Sequence, residues 1–288
     1  MLIKVVFAGL ARDCAQHLPA VLVNLERLAG TVAEAAYVFV ENDSQDATKA
    51  ILTRWGAARP NFTLFDLAGL GGTPIRTLRL EYARNVYLEF VRGEPALSDF
   101  DVLCLIDMDD VGAHPLDQGQ FQVALDYLTA EPDRAAVFAN QIGTYYDMWA
   151  FRHPEYCPAD VWFEVLESAR LHGGSDQEAY ERTFAPRINC FNPASGPFEV
   201  DSAFGGLGLY RLDWVRRAPN PYLGSRIRVL RGPGGHRSVL RMQQCEHVHF
   251  NQGLRQIGGR LFVMSGLING ERPVAMNFPA SAYRGLPF

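Results

Sequence analysis

Five apolar residues, Val102-Leu103-Cys104-Leu105-Ile106, run without a break and end in Asp107-Met108-Asp109. Such a run, bounded by polar residues, reads as a strand buried on both faces, and strands of that kind belong to parallel sheets covered by helices. Ligands of open α/β sheets sit just outside the carboxyl ends of the strands. Side chains at i and i+2 of a strand share a face, so Asp107 and Asp109 are expected together at the mouth of a cleft. Two carboxylates so placed repel each other unless a hard divalent cation lies between or beside them. Mg²⁺ or Mn²⁺ prefers oxygen ligands and bridges protein carboxylates to substrate phosphates. The plainer alternative is an acidic turn that caps the next segment.

The flanking sequence supplies the sheet that such a strand needs. Residues 3–8 read as a first strand, and residues 15–29 carry Leu18, Val21, Leu22, Leu25 and Leu28 at a helical period. Residues 36–40 read as a second strand. It ends in Glu41-Asn42-Asp43-Ser44-Gln45-Asp46, with Asp46 placed to cap a helix over 47–58. Residues 62–65 read as a third strand, and residues 69–72 as a glycine-rich loop. Thr73-Pro74 reads as a cap with proline in the first helical turn. Leu78, Tyr82, Val86 and Phe90 recur every four residues and predict the buried face of that helix. Strands alternating with helices imply a Rossmann-like, doubly wound, mostly parallel sheet of the α/β class.

The second half is less regular. Residues 121–130 read as helix, 135–139 as strand, and 186–200 as loop with Pro186, Pro193 and Pro197. Residues 143–163 are rich in aromatics, among them Tyr145, Tyr146 and Trp149, which fit either core packing or stacking on a sugar face. Cys245-Glu246-His247-Val248-His249-Phe250 reads as a short strand, with His247 and His249 on one face. No internal repeat or low-complexity linker divides the chain, which predicts a single compact domain.

Composition narrows the function classes. A chain of 288 residues, 48% hydrophobic, has room for a large core. A net charge of −5 argues against nucleic-acid binding. No apolar run reaches the length of about 18 residues that a transmembrane helix needs. The opening Met1-Leu2-Ile3-Lys4 enters a strand at once and does not read as a signal peptide. Five cysteines without CxxC spacing fit a reducing compartment, which predicts a cytoplasmic protein. No basic amphipathic helix points to a membrane surface; peripheral association through an acceptor lipid or a partner stays open.

Three segments, in this order, resemble GT-A fold glycosyltransferases. The opening Phe7-Ala8-Gly9-Leu10-Ala11-Arg12-Asp13 and the turn Val40-Glu41-Asn42-Asp43-Ser44-Gln45-Asp46 are similar to the nucleotide-binding start of family-2-like transferases. Asp107-Met108-Asp109 matches their D-x-D motif. Ser202-Ala203-Phe204-Gly205-Gly206-Leu207-Gly208-Leu209-Tyr210-Arg211 is similar to their glycine-containing acceptor-side segment. The helix with Arg79, Arg84 and Asn85 resembles an Arg-Asn element of the capsule-associated mannosyltransferases.

The resemblance implies a metal-dependent transfer of sugar from a UDP- or GDP-sugar to a hydroxyl of a glycan or polysaccharide. Residues 1–140 would bind the donor and residues 141–288 the acceptor, within one continuous domain. Asp109 would bind Mn²⁺ or Mg²⁺, and Asp107 would contact the ribose, the metal or a metal-bound water. Glu41 and Asn42 would lie at the nucleobase. Arg79 or Arg84 would meet the diphosphate, since guanidinium pairs with phosphate in bidentate fashion, although five positions on a helix put them on different faces. Arg76 reads as a surface residue. His247 or His249 would complete the metal site. If the transfer inverts configuration it needs a carboxylate base, and Asp201 and Glu246 are the candidates. Two other readings compete: a catalytically silent nucleotide-sugar-binding module, and a haloacid-dehalogenase-like phosphatase, which also carries D-x-D after an apolar strand.

Overall fold

The computed structural model describes residues 3–272. Its front half is a strand–helix alternation: β1 (Lys4–Ala11), α1 (Leu18–Ala29), β2 (Glu34–Asn42), α2 (Thr48–Gly56), β3 (Phe62–Leu67), α3 (Arg76–Gly93) and β4 (Val102–Ile106). There follow α4 (Gln118–Ala130), β5 (Arg134–Gly143), α5 (Val161–His172), α6 (Asp176–Thr183), β6 (Pro197–Val200), β7 (Leu207–Arg211) and α7 (Leu212–Arg217). The last described elements are β8 (Ser225–Arg231), β9 (Arg237–Gln243), α8 (Glu246–Gln256) and β10 (Arg260–Arg272).

The main sheet has eight strands in the order β3-β2-β1-β4-β7-β5-β10-β6, and β8 and β9 form a separate hairpin. β1 through β4 run parallel to one another, as does β10 beside β5. Two strands run the other way: β7 is antiparallel to both β4 and β5, and β6 is antiparallel to β10. The result is the mostly parallel α/β domain that the sequence predicts.

Burial on both faces explains the unbroken apolar strands. β1 sends Val5 and Phe7 to one side, where Leu18, Val21 and Leu25 of α1 and Phe121, Leu125 and Leu128 of α4 pack on them. It sends Val6 and Ala8 to the other side, against Tyr87, Leu88 and Val91 of α3 and Phe250 and Leu254 of α8. Side chains of this size contribute about 1.5–3 kcal/mol each when fully buried. Among the described residues no helix is long and apolar enough to cross a membrane.

The structure departs from the sequence reading in definite places. α3 begins at Arg76, so Thr73 and Pro74 lie ahead of its first turn. Its buried residues are Thr77, Ala83, Arg84, Tyr87, Leu88 and Val91, whereas Tyr82 is 56% exposed. The true face contains an arginine, which a search for apolar period passes over. Residues 245–250 open the helix α8 and are not a strand. Val248 and Phe250 mimic a two-residue alternation, but the buried set His247, Phe250, Asn251 and Leu254 has helical spacing. Met1, Leu2 and the last part of the predicted acceptor half, 273–288, lie outside the described residues.

Candidate active site

At the carboxyl edge of the sheet, the ends of β1, β2 and β4 face α3 across a cleft of about 250 Å³. Arg12, Arg76, Arg79 and Arg84 line it together with Asp107 and Asp109. Four guanidinium groups against two carboxylates make this an electropositive pocket with an acidic floor, suited to a ligand that is itself anionic.

The acidic floor is held by the backbone. The Asp107 amide donates to the Gly206 carbonyl at 2.9 Å, which continues the β4–β7 ladder past the end of the strand. Asp107 Oδ2 accepts the Tyr146 hydroxyl at 2.9 Å, and Oδ1 lies 3.8 Å from Arg84 Nη2. Burial, with the charge of Asp109 adding to it, pushes the Asp107 carboxyl up to about 7. Asp109 is exposed, and its Oδ1 accepts the Val111 amide at 3.1 Å. Among the described residues no three His, Cys, Asp or Glu side chains converge on one metal position. Two adjacent carboxylates still fit Mg²⁺ or Mn²⁺, which take one or two from the protein and the rest from phosphate and water. A cation there would offset both the burial and the repulsion from Asp109 that raise Asp107.

Arg84 joins this floor to α8. It is 6% exposed; its Nε donates to Glu246 Oε1 at 2.7 Å and its Nη1 to the Tyr87 hydroxyl oxygen at 3.2 Å. Glu246 sits in the first turn of α8 and is 4% exposed. Beside it the His247 ring stacks on Phe204, with centroids 3.9 Å apart. Burial, reinforced by the Arg84 charge, holds His247 well below its ordinary value, so the imidazole is neutral. Neither of its ring nitrogens has a hydrogen-bond partner among the described residues.

No family model matches the sequence, and no curated protein matches it. Solved structures do. A mannosyltransferase from Pyrobaculum calidifontis in complex with GDP-Man and Mn²⁺ aligns with 99% of this chain at 13% identity and a TM-score of 0.50. S. aureus TarS aligns with 98% of this chain at 12% identity and a TM-score of 0.54, and its complex with UDP gives a TM-score of 0.51 at 12% identity. The chain has a GT-A-type fold. It spans 60% of the length of the mannosyltransferase chain, 38% of the TarS chain and 63% of the shorter TarS chain.

The GT-A fold brings some predicted residues together and separates others. Asn42, Arg79, Arg84, Asp107 and Asp109 all line the cleft. Glu41 is 1% exposed, and its Oε1 accepts the Ser44 amide at 2.7 Å, which closes its own turn. Asp43 (φ 50°) accepts the amides of Gly69 and Gly71 and so braces the glycine loop. Asp46 accepts the Thr48 amide at the start of α2 and the Ala15 amide ahead of α1. His247 and His249 stand two positions apart on a helix, so they point to opposite sides and do not act as a pair. His249 is half-buried, and burial with the charge of Arg226 lowers it. Asp201 lines a different cavity, where it lies 3.1 Å from Arg255.

Other residues of the site were given a different role by the sequence reading, Arg76 as a surface arginine and Tyr146 as a stacking or core aromatic, or were not singled out, as with Asp147. Arg12 and Arg76 line the cleft. Tyr145 belongs to the core, whereas Tyr146 turns its hydroxyl to Asp107. Asp147 accepts the Gly205 amide at 3.3 Å and the Ala150 amide at 3.2 Å, and burial, with Glu246 adding, pushes it up to about 6. Asp147 sits in an irregular segment with no period, so the sequence did not single it out.

Proposed function

We propose that the chain is a metal-dependent glycosyltransferase that moves a hexosyl or pentosyl group from a UDP- or GDP-sugar to a hydroxyl of a glycan or polysaccharide. One observation carries this reading: paired carboxylates, Asp107 and Asp109, form the floor of an arginine-lined cleft at the carboxyl edge of a GT-A sheet. The molecules bound in two structural neighbours, GDP-Man with Mn²⁺ in one and UDP in the other, agree with it. So do the five free cysteines, which suit a cytoplasmic enzyme.

Asp109, exposed at the rim, and Asp107, beneath it, would hold the divalent ion; bound there, the ion would offset negative charge on the departing diphosphate. Arg76 and Arg79 at the cleft wall meet the phosphates from α3, and Arg12 meets them from β1. Asn42 at the end of β2 contacts the base or ribose. Glu246, buried behind the cleft lining and held there by Arg84, would receive the proton of the acceptor hydroxyl. Asp201, the other candidate base, faces away from this centre. His247, neutral and without a hydrogen-bond partner among the described residues, lies buried beside Glu246.

A thermal-shift screen with UDP-, GDP-, CMP- and dTDP-sugars, each with and without Mn²⁺, tests the proposal. A ligand that binds only the native state raises Tm. A Mn²⁺-dependent rise with a UDP- or GDP-sugar is expected. No rise with any of them leaves a silent module of the same fold as the better reading.

A further inference from the structure

A second cavity, about 550 Å³, opens between α5, β8 and α8, on the side of α8 turned away from Glu246. Four arginines line it, Arg152, Arg226, Arg228 and Arg255, with two carboxylates, Asp160 and Asp201. The carboxylates are already engaged. Asp160 pairs with Arg152 at 3.0 Å and Asp201 with Arg255 at 3.1 Å. Arg226 and Arg228 stand two positions apart on β8 and so face the cavity together. Among the described residues neither has an ion-pair partner.

Two guanidinium groups without ion-pair partners among the described residues share one wall and repel each other. Burial, with Arg226 beside it, pulls Arg228 below its ordinary value, the direction expected of crowded cations. Arg228 lies 5.2 Å over the ring of Phe163. Stacking of that kind fixes the plane of the group and leaves its N–H edge free for an oxyanion. The cavity also borders the reaction centre along the chain. Gln244 on its wall precedes Glu246 by two residues, and Ser202 precedes Phe204, the residue stacked on His247.

We propose that this cavity binds an anionic group of the acceptor, phosphate or carboxylate, through Arg226 and Arg228, so that the acceptor is a sugar phosphate or an acidic glycan. The word acceptor rests on the glycosyltransferase reading; the anion site does not.

Calorimetric titration of the full chain with mannose 6-phosphate, glucuronate and mannose tests it, in the wild type and in the double variant Arg226→Glu/Arg228→Glu. At least one charged sugar is expected to bind about tenfold more tightly than mannose, and to weaken as salt rises. The double variant should lose that advantage, and Arg226→Gln/Arg228→Gln should lose most of it. A thermal transition like that of the wild type shows each variant folded. Binding of one charged sugar and not the other identifies phosphate or carboxylate. Equal affinity for charged and neutral sugars, no binding of either charged sugar, or wild-type binding in the double variant overturns the proposal. The nucleotide-sugar shift is read separately, so failure of the donor reading leaves this result standing.

Discussion

Arg84 Nε and Glu246 Oε1, on helices separated by most of the chain, meet at 2.7 Å with both side chains buried. Breaking a buried ion pair from one side leaves the other charge uncompensated and costs about 3–5 kcal/mol. Arg84→Met is therefore expected to lower the free energy of unfolding by that amount, and Arg84→Met/Glu246→Met to recover much of it, read from denaturant titrations. Equal destabilisation in the single and double variants would show that the pair is not coupled.

Glu246→Gln keeps the shape of the side chain and removes its capacity to take a proton. Turnover is expected to fall at least about a hundredfold, with the nucleotide-sugar thermal shift preserved. A variant with wild-type kcat would assign Glu246 a purely structural role and return Asp201 to the position of candidate base.

Asp109→Asn should abolish the Mn²⁺-dependent part of the thermal shift and the turnover. Tm without metal should hold, because Asp109 is exposed and its bond from the Val111 amide can be remade by the asparagine oxygen. Metal dependence surviving in Asp109→Asn would remove this residue from the proposed coordination.

Asp147 supplies a pH test. Its carboxyl is pushed up to about 6 in the fold from an ordinary value of 3.8, so the folded state binds the proton more tightly than the unfolded state. Its contribution to stability is present below about pH 4 and is lost as pH rises through about 6. Relative to wild type, Asp147→Asn should gain stability across that window. Parallel Tm curves for the two proteins between pH 4 and 7 would refute the assignment.

Gly206→Ala tests the support beneath the D-x-D pair. Gly206 has φ 79°, where a side chain is strained, and a Cβ there would overlap Val111. Its carbonyl holds the Asp107 amide. A loss of about 1–3 kcal/mol in stability and weaker donor binding are expected; donor affinity unchanged in a destabilised variant would uncouple the glycine from the site.

The front of the fold was legible because each strand there is short, apolar and followed by a helix with its own apolar stripe. Asp107 and Asp109 stood out for the same reason, as the first charges after five buried residues. Legibility failed where burial is polar or reversed. Arg84 hides the inward face of α3, since its charge is satisfied by groups distant in sequence. In β8 the apolar Ile227 and Val229 are 70% and 55% exposed while Arg226 and Arg228 face the cavity, the inverse of the usual pattern. β10 is interrupted by register shifts along β5 and was not read as a strand at all. Glu246 was named as a candidate base on a segment read as strand, and that segment opens the helix α8.

The placement of β7 between β4 and β5 has a consequence for how the chain comes into being. Ile106 pairs with Leu207, 101 positions later, so the strand that ends in Asp107-Met108-Asp109 waits with one edge open while about a third of the protein is made. The donor cleft thus cannot mature on the first 140 residues alone. A ribosome must deliver the strand from the far half into a slot already framed on both sides, and contacts that distant form slowly. Until that insertion, the apolar edge most central to the sheet is the one most open to pairing with another chain.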